Sequence, residues 1–180
     1  NPEFTMMELY AAYWDYLDML GLVERLFARL VERFGDDGRL KYGEHVLDFR
    51  DGWRRVRFLD GLAERTGVDF RGLERDAVAA RARELGLAVT PAMGGDKILD
   101  AMFSQFVEPQ LIQPTFVLDH PRELSPLAKE HRDEPGLVER FEPFVAGFEV
   151  GNAFTELNDP AEQRRRFQDQ AALRARGDDE

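Results

Sequence analysis

The sequence contains no cysteine, and this absence excludes disulfides and thiolate metal sites. A chain without cysteine fits a cytoplasmic protein, and we expect that location. Long apolar runs are also missing, since no segment approaches the roughly 18 residues that cross a membrane. We therefore expect no membrane partner. The remaining composition, 43% hydrophobic and 33% charged, is ordinary for a globular protein.

Positive charge and histidine are scarce as well. The 24 lysines and arginines stand against 35 aspartates and glutamates, so the net charge is −11. This balance disfavours nucleic-acid binding through the phosphate backbone by this segment alone, but it allows a nucleic acid held mainly by another module. His45, His120 and His131 are widely spaced. We interpret each histidine as a surface or loop residue rather than a metal ligand or base.

The length of 180 residues allows one domain with its own core or part of a larger domain. Because the first residue is Asn1 and not methionine, we expect the natural amino terminus to lie upstream. Nothing follows from the sequence about a signal peptide.

Periodicity predicts an α+β fold with a mostly antiparallel sheet. Residues 3–10 alternate with period two, so we expect a strand there. One face of this strand carries Phe4, Met6, Glu8 and Tyr10. Residues 11–34 predict a long amphipathic helix. Further short strands are predicted at 40–49, 53–58 and 114–118, with a turn at 50–52 between the first two.

Helices are predicted in the middle and at the end of the chain. The central helices are expected at 59–65, 73–85 and 97–107. Asp96 is placed to cap the last of these, and residues 119–135 predict a long loop. Asp159 and Pro160 predict the start of a final helix that runs to about Arg174. Residues 177–180 are typical of a frayed or truncated end.

A hairpin in residues 141–160 concentrates acidic side chains beside aromatics and glycines. A two-residue turn at Ala146-Gly147 would place Phe144 opposite Glu149 and Glu142 opposite Gly151. Glu142 and Glu149 then become diagonal neighbours on one face, an unfavourable pair unless a cation or proton lies between them. The alternative is a pair of solvated surface acids in an acidic protein.

A second row follows the hairpin, because Asn152, Phe154 and Glu156 recur with period two. A bulge at Gly151 would turn this row onto the face that carries the two glutamates. Glu8 and Tyr10 form a similar polar row near the amino terminus, and such a row favours a pocket wall that needs a cation. Its alternative is a sheet edge with Glu8 in solvent.

Three segments together resemble the class II lysyl-tRNA synthetases. They are residues 1–10, residues 111–116 with 124–128, and residues 141–160. Their order and intervals also fit, and the run GNAFTELND at 151–159 is the most specific. The resemblance implies an incomplete class II aminoacyl-tRNA synthetase core within residues 1–180. In that core a mostly antiparallel sheet is flanked by helices, and residues from about 59 to 110 form a helical insertion.

The resemblance also implies an activity and a set of site residues. The activity is activation of lysine with ATP and Mg²⁺, followed by transfer to tRNA(Lys), in a cytoplasmic homodimer. The implied Mg²⁺ ligands are Glu142 and Glu149. The implied ATP contacts are Asn1, Phe4, Glu149, Val150, Gly151 and Asn152. The implied lysine pocket consists of Glu8, Tyr10, Asn152, Phe154 and Glu156.

By the same resemblance the chain starts inside motif 2 and stops before motif 3, so the arginines of both motifs lie outside it. The anticodon-binding domain is outside it too, and we expect the isolated segment to be inactive. Two alternatives stay open: a paralogue that ligates a lysine-type amino acid to a protein, and a non-catalytic binding or dimerisation module. The acidic constellation argues against the second alternative, because a purely structural descendant has no need of it.

Overall fold

The structure is a computed structural model, and it describes residues 3–174, with side chains described to residue 172. Asn1 and the predicted frayed end at 177–180 lie outside the described residues. Within them, the helices are α1 (Tyr16–Phe34), α2 (Phe58–Thr66), α3 (Arg75–Glu84), α4 (Gly95–Phe106) and α5 (Pro160–Arg174). The strands are β1 (Arg39–Tyr42), β2 (His45–Asp48), β3 (Arg54–Arg57), β4 (Thr115–Leu118), β5 (Arg140–Val145), β6 (Phe148–Glu149) and β7 (Ala153–Phe154).

The main sheet has the order β3-β4-β5-β6, and β7 also pairs with β5. The pair β3–β4 is parallel, and the remaining pairs are antiparallel. The predicted α+β class with a mostly antiparallel sheet is therefore confirmed. Helices α2 to α4 occupy much of the stretch between β3 and β4. The assignment of 59–110 as an insertion into a synthetase core stays a prediction.

The prediction of a single strand at 40–49 is wrong, because this stretch forms two strands. Residues 39–48 fold back on themselves as the separate hairpin β1–β2, with Tyr42 opposite His45. The next strand, β3, instead joins the main sheet beside β4. The turn at 50–52 therefore connects two sheets. The alternation of apolar and polar side chains along a strand does not reveal which strand it pairs with.

The predicted strand at 3–10 is also wrong, because these residues form neither helix nor strand. An extended segment becomes a strand only through hydrogen bonds to a neighbour. Residues 3–10 have no such partner among the described strands.

Two apolar cores cover the two faces of the main sheet. On β5, Phe144 joins the core beneath α2 and α4, and Phe141 joins the core beneath α1. This division follows from the alternation of side chains along a strand. Arg140 and Glu142 share the face of Phe144, so the sheet directs them toward the side covered by α4.

The start of α1 is fixed by Asp15, whose carboxylate accepts hydrogen bonds from the N–H groups of Leu17 (2.9 Å) and Asp18 (3.2 Å). Arg132 also donates to this carboxylate at 2.7 Å. The helix therefore begins five residues later than the predicted segment 11–34. Asp159 caps α5 as predicted, because its carboxylate accepts a hydrogen bond from the N–H of Ala161 at 2.8 Å. The predicted cap at Asp96 is wrong, because the N-cap of α4 is Gly94.

Replacing Asp15 with alanine should destabilise the chain by about 1–2 kcal/mol, the usual cost of losing an N-cap. Partial burial opposes ionisation of Asp15, but Arg132 and the two backbone N–H groups outweigh it and lower its pKa. A lowered pKa stabilises the fold above the unfolded value near 4, and this contribution is lost as the pH falls through the folded value. Urea unfolding at pH 7 and pH 3 should show a larger effect of Asp15→Ala at pH 7.

The matched control is Glu74→Ala, because Glu74 is the N-cap of α3 but its side chain makes no capping hydrogen bond. We expect this substitution to change the unfolding free energy by less than about 0.5 kcal/mol. Equal effects of the two substitutions would contradict the capping role of Asp15.

An apolar cavity of about 420 Å³ lies between α1, the β1–β2 hairpin and the tip of the β5–β6 hairpin. Its lining includes Phe27, Phe34, Leu47 and Phe148. The lining contains no carboxylate, histidine or basic side chain, so this cavity lacks the groups that chemistry on ATP or lysine requires.

Among the described helices, none combines the length and apolar character needed to cross a membrane.

Candidate functional site

The β5–β6 hairpin turns at Ala146-Gly147, as the sequence predicts. Phe144 lies opposite Glu149, and Val145 lies opposite Phe148. Both turn residues have positive φ, 54° for Ala146 and 77° for Gly147, as the favoured two-residue hairpin turn requires. The N–H groups of both turn residues donate to carbonyls of Ile112 and Leu111 at 2.8 and 3.0 Å. The 111–116 segment therefore holds the turn in place.

An extra residue follows Glu149 and places Phe154 on the face of the glutamates. Between Phe144 and Phe141 there are three steps on β5, but their partners Glu149 and Ala153 are four steps apart. Phe154 thus pairs with Arg140 and shares the face of Glu142. A Cβ on Gly151 would approach the Pro143 ring to 3.3 Å, which explains glycine at this point. The predicted bulge is confirmed.

Glu142 is the most buried carboxylate of this face, with a side chain that is 13% exposed. Arg140 contacts one of its oxygens, and His120 Nε2 lies 3.2 Å from the other, Oε2. Burial disfavours the charge of Glu142, but His120 and Arg140 outweigh it and lower the pKa of this carboxyl. Glu142 is therefore held as a carboxylate.

Glu149 and Asp100 are more exposed than Glu142, and the negative charge of Glu142 affects the pKa of both. Partial desolvation and the Glu142 carboxylate raise the pKa of Glu149. The same two causes raise the pKa of Asp100, which α4 brings to this side of the sheet. The charge of Glu142 is thus a shared cause of both raised pKa values, and Asp100 is an acid on this side of the sheet that the sequence did not single out.

Arg140 connects the glutamate pair to the second row. Its guanidinium donates to Asn152 Oδ1 at 3.0 Å and to Ser125 Oγ at 2.6 Å, in addition to its contact with Glu142. It therefore fixes Asn152 and Glu142 relative to each other. The sequence prediction did not include Arg140. Its spacing of two residues from Glu142 on a predicted strand would have placed both side chains on the same face.

Two of the three histidines are largely buried. His120 and His131 lie in the loop, as expected, but neither is at the surface, with side chains only 3% and 12% exposed. His45 lies exposed at the start of β2. His120 lies against Phe58 and Glu142, and His131 lies against Tyr16 of α1, so long-range packing buries both.

The other predicted site residues are exposed or half-buried. Phe4 is 74% and Tyr10 is 76% exposed, and Glu8 and Glu156 are exposed as well. In the described part of the chain, no hydrogen bond joins Glu8 or Tyr10 to the hairpin. Strand β7 and the bridge between Ala128 and Glu156 hold the second row in place. Val150, Gly151 and Asn152 follow Glu149 directly at the exposed end of the hairpin.

No group of three or more carboxylate or histidine side chains among the described residues stands at metal-binding separation. The hairpin itself places two acids on this face, Glu142 and Glu149. Such a pair suits Mg²⁺, because this ion is usually bound by one or two carboxylates together with substrate phosphates. Burial and the charge of Glu142 raise the pKa values of Glu149 and Asp100, and a divalent cation beside these carboxyls would favour their charged forms.

Comparison with known proteins agrees with this geometry. Residues 1–179 match the family described as tRNA synthetases class II (D, K and N). Lysine–tRNA ligases from Roseiflexus sp. (strain RS-1) and Roseiflexus castenholzii are 50% and 51% identical over the whole chain, which covers 37% of each relative. The lysine–tRNA ligase of Aquifex aeolicus is 48% identical, and the chain covers 30% of it. The chain spans about a third of these relatives, and it belongs to the class II tRNA synthetases of the D, K and N group.

Proposed function

We propose that this segment belongs to the catalytic domain of a lysine–tRNA ligase and binds lysine and ATP for formation of lysyl-adenylate. The observation that carries the proposal is the hairpin with its bulge. It collects Glu142, Glu149, Phe154 and Arg140 on one face, and the curated relatives at about 50% identity are lysine–tRNA ligases.

Glu142 and Glu149 would hold Mg²⁺ on this face. When bound, the ion would neutralise negative charge on the phosphates of ATP. The protein contributes by orienting carboxylate oxygens, and Arg140 and His120 keep Glu142 ionised. Oxygen donors without histidine or cysteine suit this hard cation.

ATP would lie along the exposed end of the hairpin, at Glu149, Val150, Gly151 and Asn152. The exposed ring of Phe4 offers an apolar surface on which an adenine can stack. Asn1, the remaining proposed ATP contact, lies outside the described residues.

Lysine would occupy the second row, between Asn152, Phe154 and Glu156 on one side and Glu8 and Tyr10 on the other. An ammonium removed from water needs a carboxylate and further acceptors, or its burial is costly. Glu156 and Glu8 supply negative charge, Tyr10 supplies a phenolic oxygen, and Phe154 can cover the aliphatic stem.

The reaction needs no protein nucleophile. The lysine carboxylate attacks the α-phosphorus of ATP, a new carboxylate–phosphate bond forms, and pyrophosphate leaves with the electron pair of the broken bond. This segment would contribute by positioning both substrates and balancing their charges. In a second step the lysyl group would pass to the 3′ end of tRNA(Lys).

We also propose that the full-length enzyme is a cytoplasmic homodimer. The support within this chain is the first helix, where the apolar side chains of Leu17, Leu30 and Phe34 are 47%, 42% and 70% exposed. Apolar exposure of this kind is typical of a surface that another chain or domain covers.

A Glu156→Gln substitution tests the proposed function. In a full-length synthetase that carries this segment, we expect the KM for lysine to rise by about 10–100-fold, because the charged acceptor of the ammonium is replaced by a neutral one. The measurement is lysine-dependent exchange of pyrophosphate into ATP. Glu123→Gln is the matched control, since Glu123 is an exposed acid beside Arg122 and outside this face. An unchanged KM for lysine in Glu156→Gln would contradict the proposed ammonium site.

A further inference from the structure

The ring of His120 is a buried polar group in contact with the metal-binding face. Only 2% of the residue is exposed, and its ring centroid lies 5.2 Å from that of Phe58. Nε2 is 3.2 Å from Glu142 Oε2, at hydrogen-bond distance. Within the described residues, neither ring nitrogen has an aligned hydrogen-bond partner. The contact with Glu142 is therefore short but incomplete.

The backbone on both sides of His120 is fixed by strand β5 and the residues that precede it. Asp119 N–H donates to the carbonyl of Arg140 at 2.9 Å, and Val138 N–H donates to the carbonyl of His120 at 2.9 Å. Asp119 has φ 58°, a left-handed conformation that turns the chain sharply before His120. The ring is thus positioned by the same segment that carries Glu142.

Fold stability alone does not explain a histidine here. A buried polar nitrogen without a partner is destabilising, and an apolar side chain of similar volume would pack against Phe58 without that penalty. Glu142 is the acidic group that Nε2 approaches, so the requirement for a nitrogen points to this carboxylate.

The contacts of Glu142 leave room for a cation. Arg140 contacts Oε1 and His120 approaches Oε2, so each oxygen has one protein neighbour. A carboxylate offers about four lone-pair positions, and roughly two therefore stay available. Carboxylates that bind metals are generally oriented by such outer partners, whose loss weakens metal binding by about 10–100-fold.

We propose that His120 is a positioning residue, which donates its Nε2–H to Glu142 and so orients this carboxylate for a divalent cation. This inference rests on the proposed function of Glu142 and Glu149 as the metal-binding pair. The role is distinct from that of a ligand, because the imidazole reaches the cation only through Glu142.

The test compares His120→Met with His120→Gln in a full-length synthetase that carries this segment. Binding of Mn²⁺ in the presence of ATP is followed by electron paramagnetic resonance, and melting temperature is measured on the same samples. We expect His120→Met to weaken Mn²⁺ binding by about 10–100-fold without lowering the melting temperature. Because the glutamine amide can donate from a position near Nε2, His120→Gln should recover much of that affinity.

His131→Met is the matched control, since it makes the same replacement in the same loop. His131 Nδ1 accepts from the N–H groups of Asp133 and Glu134, both at 3.2 Å, so its loss should lower the melting temperature and leave Mn²⁺ binding unchanged. Unchanged Mn²⁺ binding in His120→Met, or glutamine no better than methionine, would overturn the inference. Unchanged binding in Glu142→Gln would instead overturn the proposed metal pair itself.

Discussion

Replacing Glu142 with glutamine should slow lysine-dependent exchange of pyrophosphate into ATP by about 10²–10³-fold in a full-length synthetase that carries this segment. The substitution preserves the shape of the side chain and removes its negative charge. Glu142 is the least exposed acid of the face, and its charge acts on both Glu149 and Asp100. Without that charge, the remaining acids attract a divalent cation more weakly. The Mg²⁺ concentration for half-maximal exchange should therefore rise as well.

Glu108→Gln is the matched control for this prediction. Glu108 also contributes negative charge at Glu149, but it follows α4 and its carboxylate accepts a hydrogen bond from Ser104 at 2.7 Å. We expect the exchange rate and its Mg²⁺ dependence to remain close to those of the unsubstituted enzyme. If both substitutions reduce exchange equally, the effect comes from the net charge of the surface and not from a specific site.

The hairpin was predictable because its determinants are local. The turn residues, the alternation along β5 and the glycine at the bulge all lie within about a dozen consecutive residues, and all three determine one register. The strand at 3–10 failed for the opposite reason. The alternation of side chains shows which residues share a face, but it does not provide a neighbouring strand for hydrogen bonding. The described sheets contain no strand that pairs with residues 3–10.

Contacts between distant parts of the chain could not be predicted. His120 reaches Glu142 only because β4 and β5 pair in one particular register, with Leu118 opposite Phe141. Asp100 joins the same face because α4 packs beside β5 through Phe103 and Phe144. The sequence identifies the type of each residue, but the charge environment of the site arises from tertiary packing.

Asp119→Ala should destabilise the chain by about 2–4 kcal/mol, because it removes a buried acceptor of one neutral and one charged hydrogen bond, the latter from the partly exposed Arg57. Asp119 is 7% exposed. Its carboxylate accepts from Tyr16 Oη at 3.1 Å and from Arg57 Nε at 2.9 Å, residues that are 103 and 62 positions away in sequence. Alanine would leave both donors without this acceptor and would occupy a left-handed conformation, φ 58°, that disfavours it. Urea unfolding followed by the fluorescence of buried Trp53 would measure the loss.

Two further variants separate the causes of that loss. Asp119→Asn keeps an acceptor oxygen and tolerates positive φ, so its cost should come mainly from the lost charge beside Arg57. Asp119→Gly removes the side chain and the conformational penalty together, and should be about 1 kcal/mol more stable than Asp119→Ala. If Asp119→Ala and Asp119→Gly both change the unfolding free energy by less than about 1 kcal/mol, the contacts with Tyr16 and Arg57 are not what holds this loop.

The alkaline limb of the stability profile gives an independent check on the same contact. Burial and the negative charge of Asp119 raise the pKa of Tyr16. A raised pKa stabilises the fold below the unfolded value near 10, and the contribution is lost as the pH rises above it. Because Asp119→Asn removes one of the two causes, its stability should fall less steeply above pH 10 than that of the unsubstituted chain. An identical slope in both proteins would show that burial alone protects the phenol, and Asp119 would then contribute through Arg57.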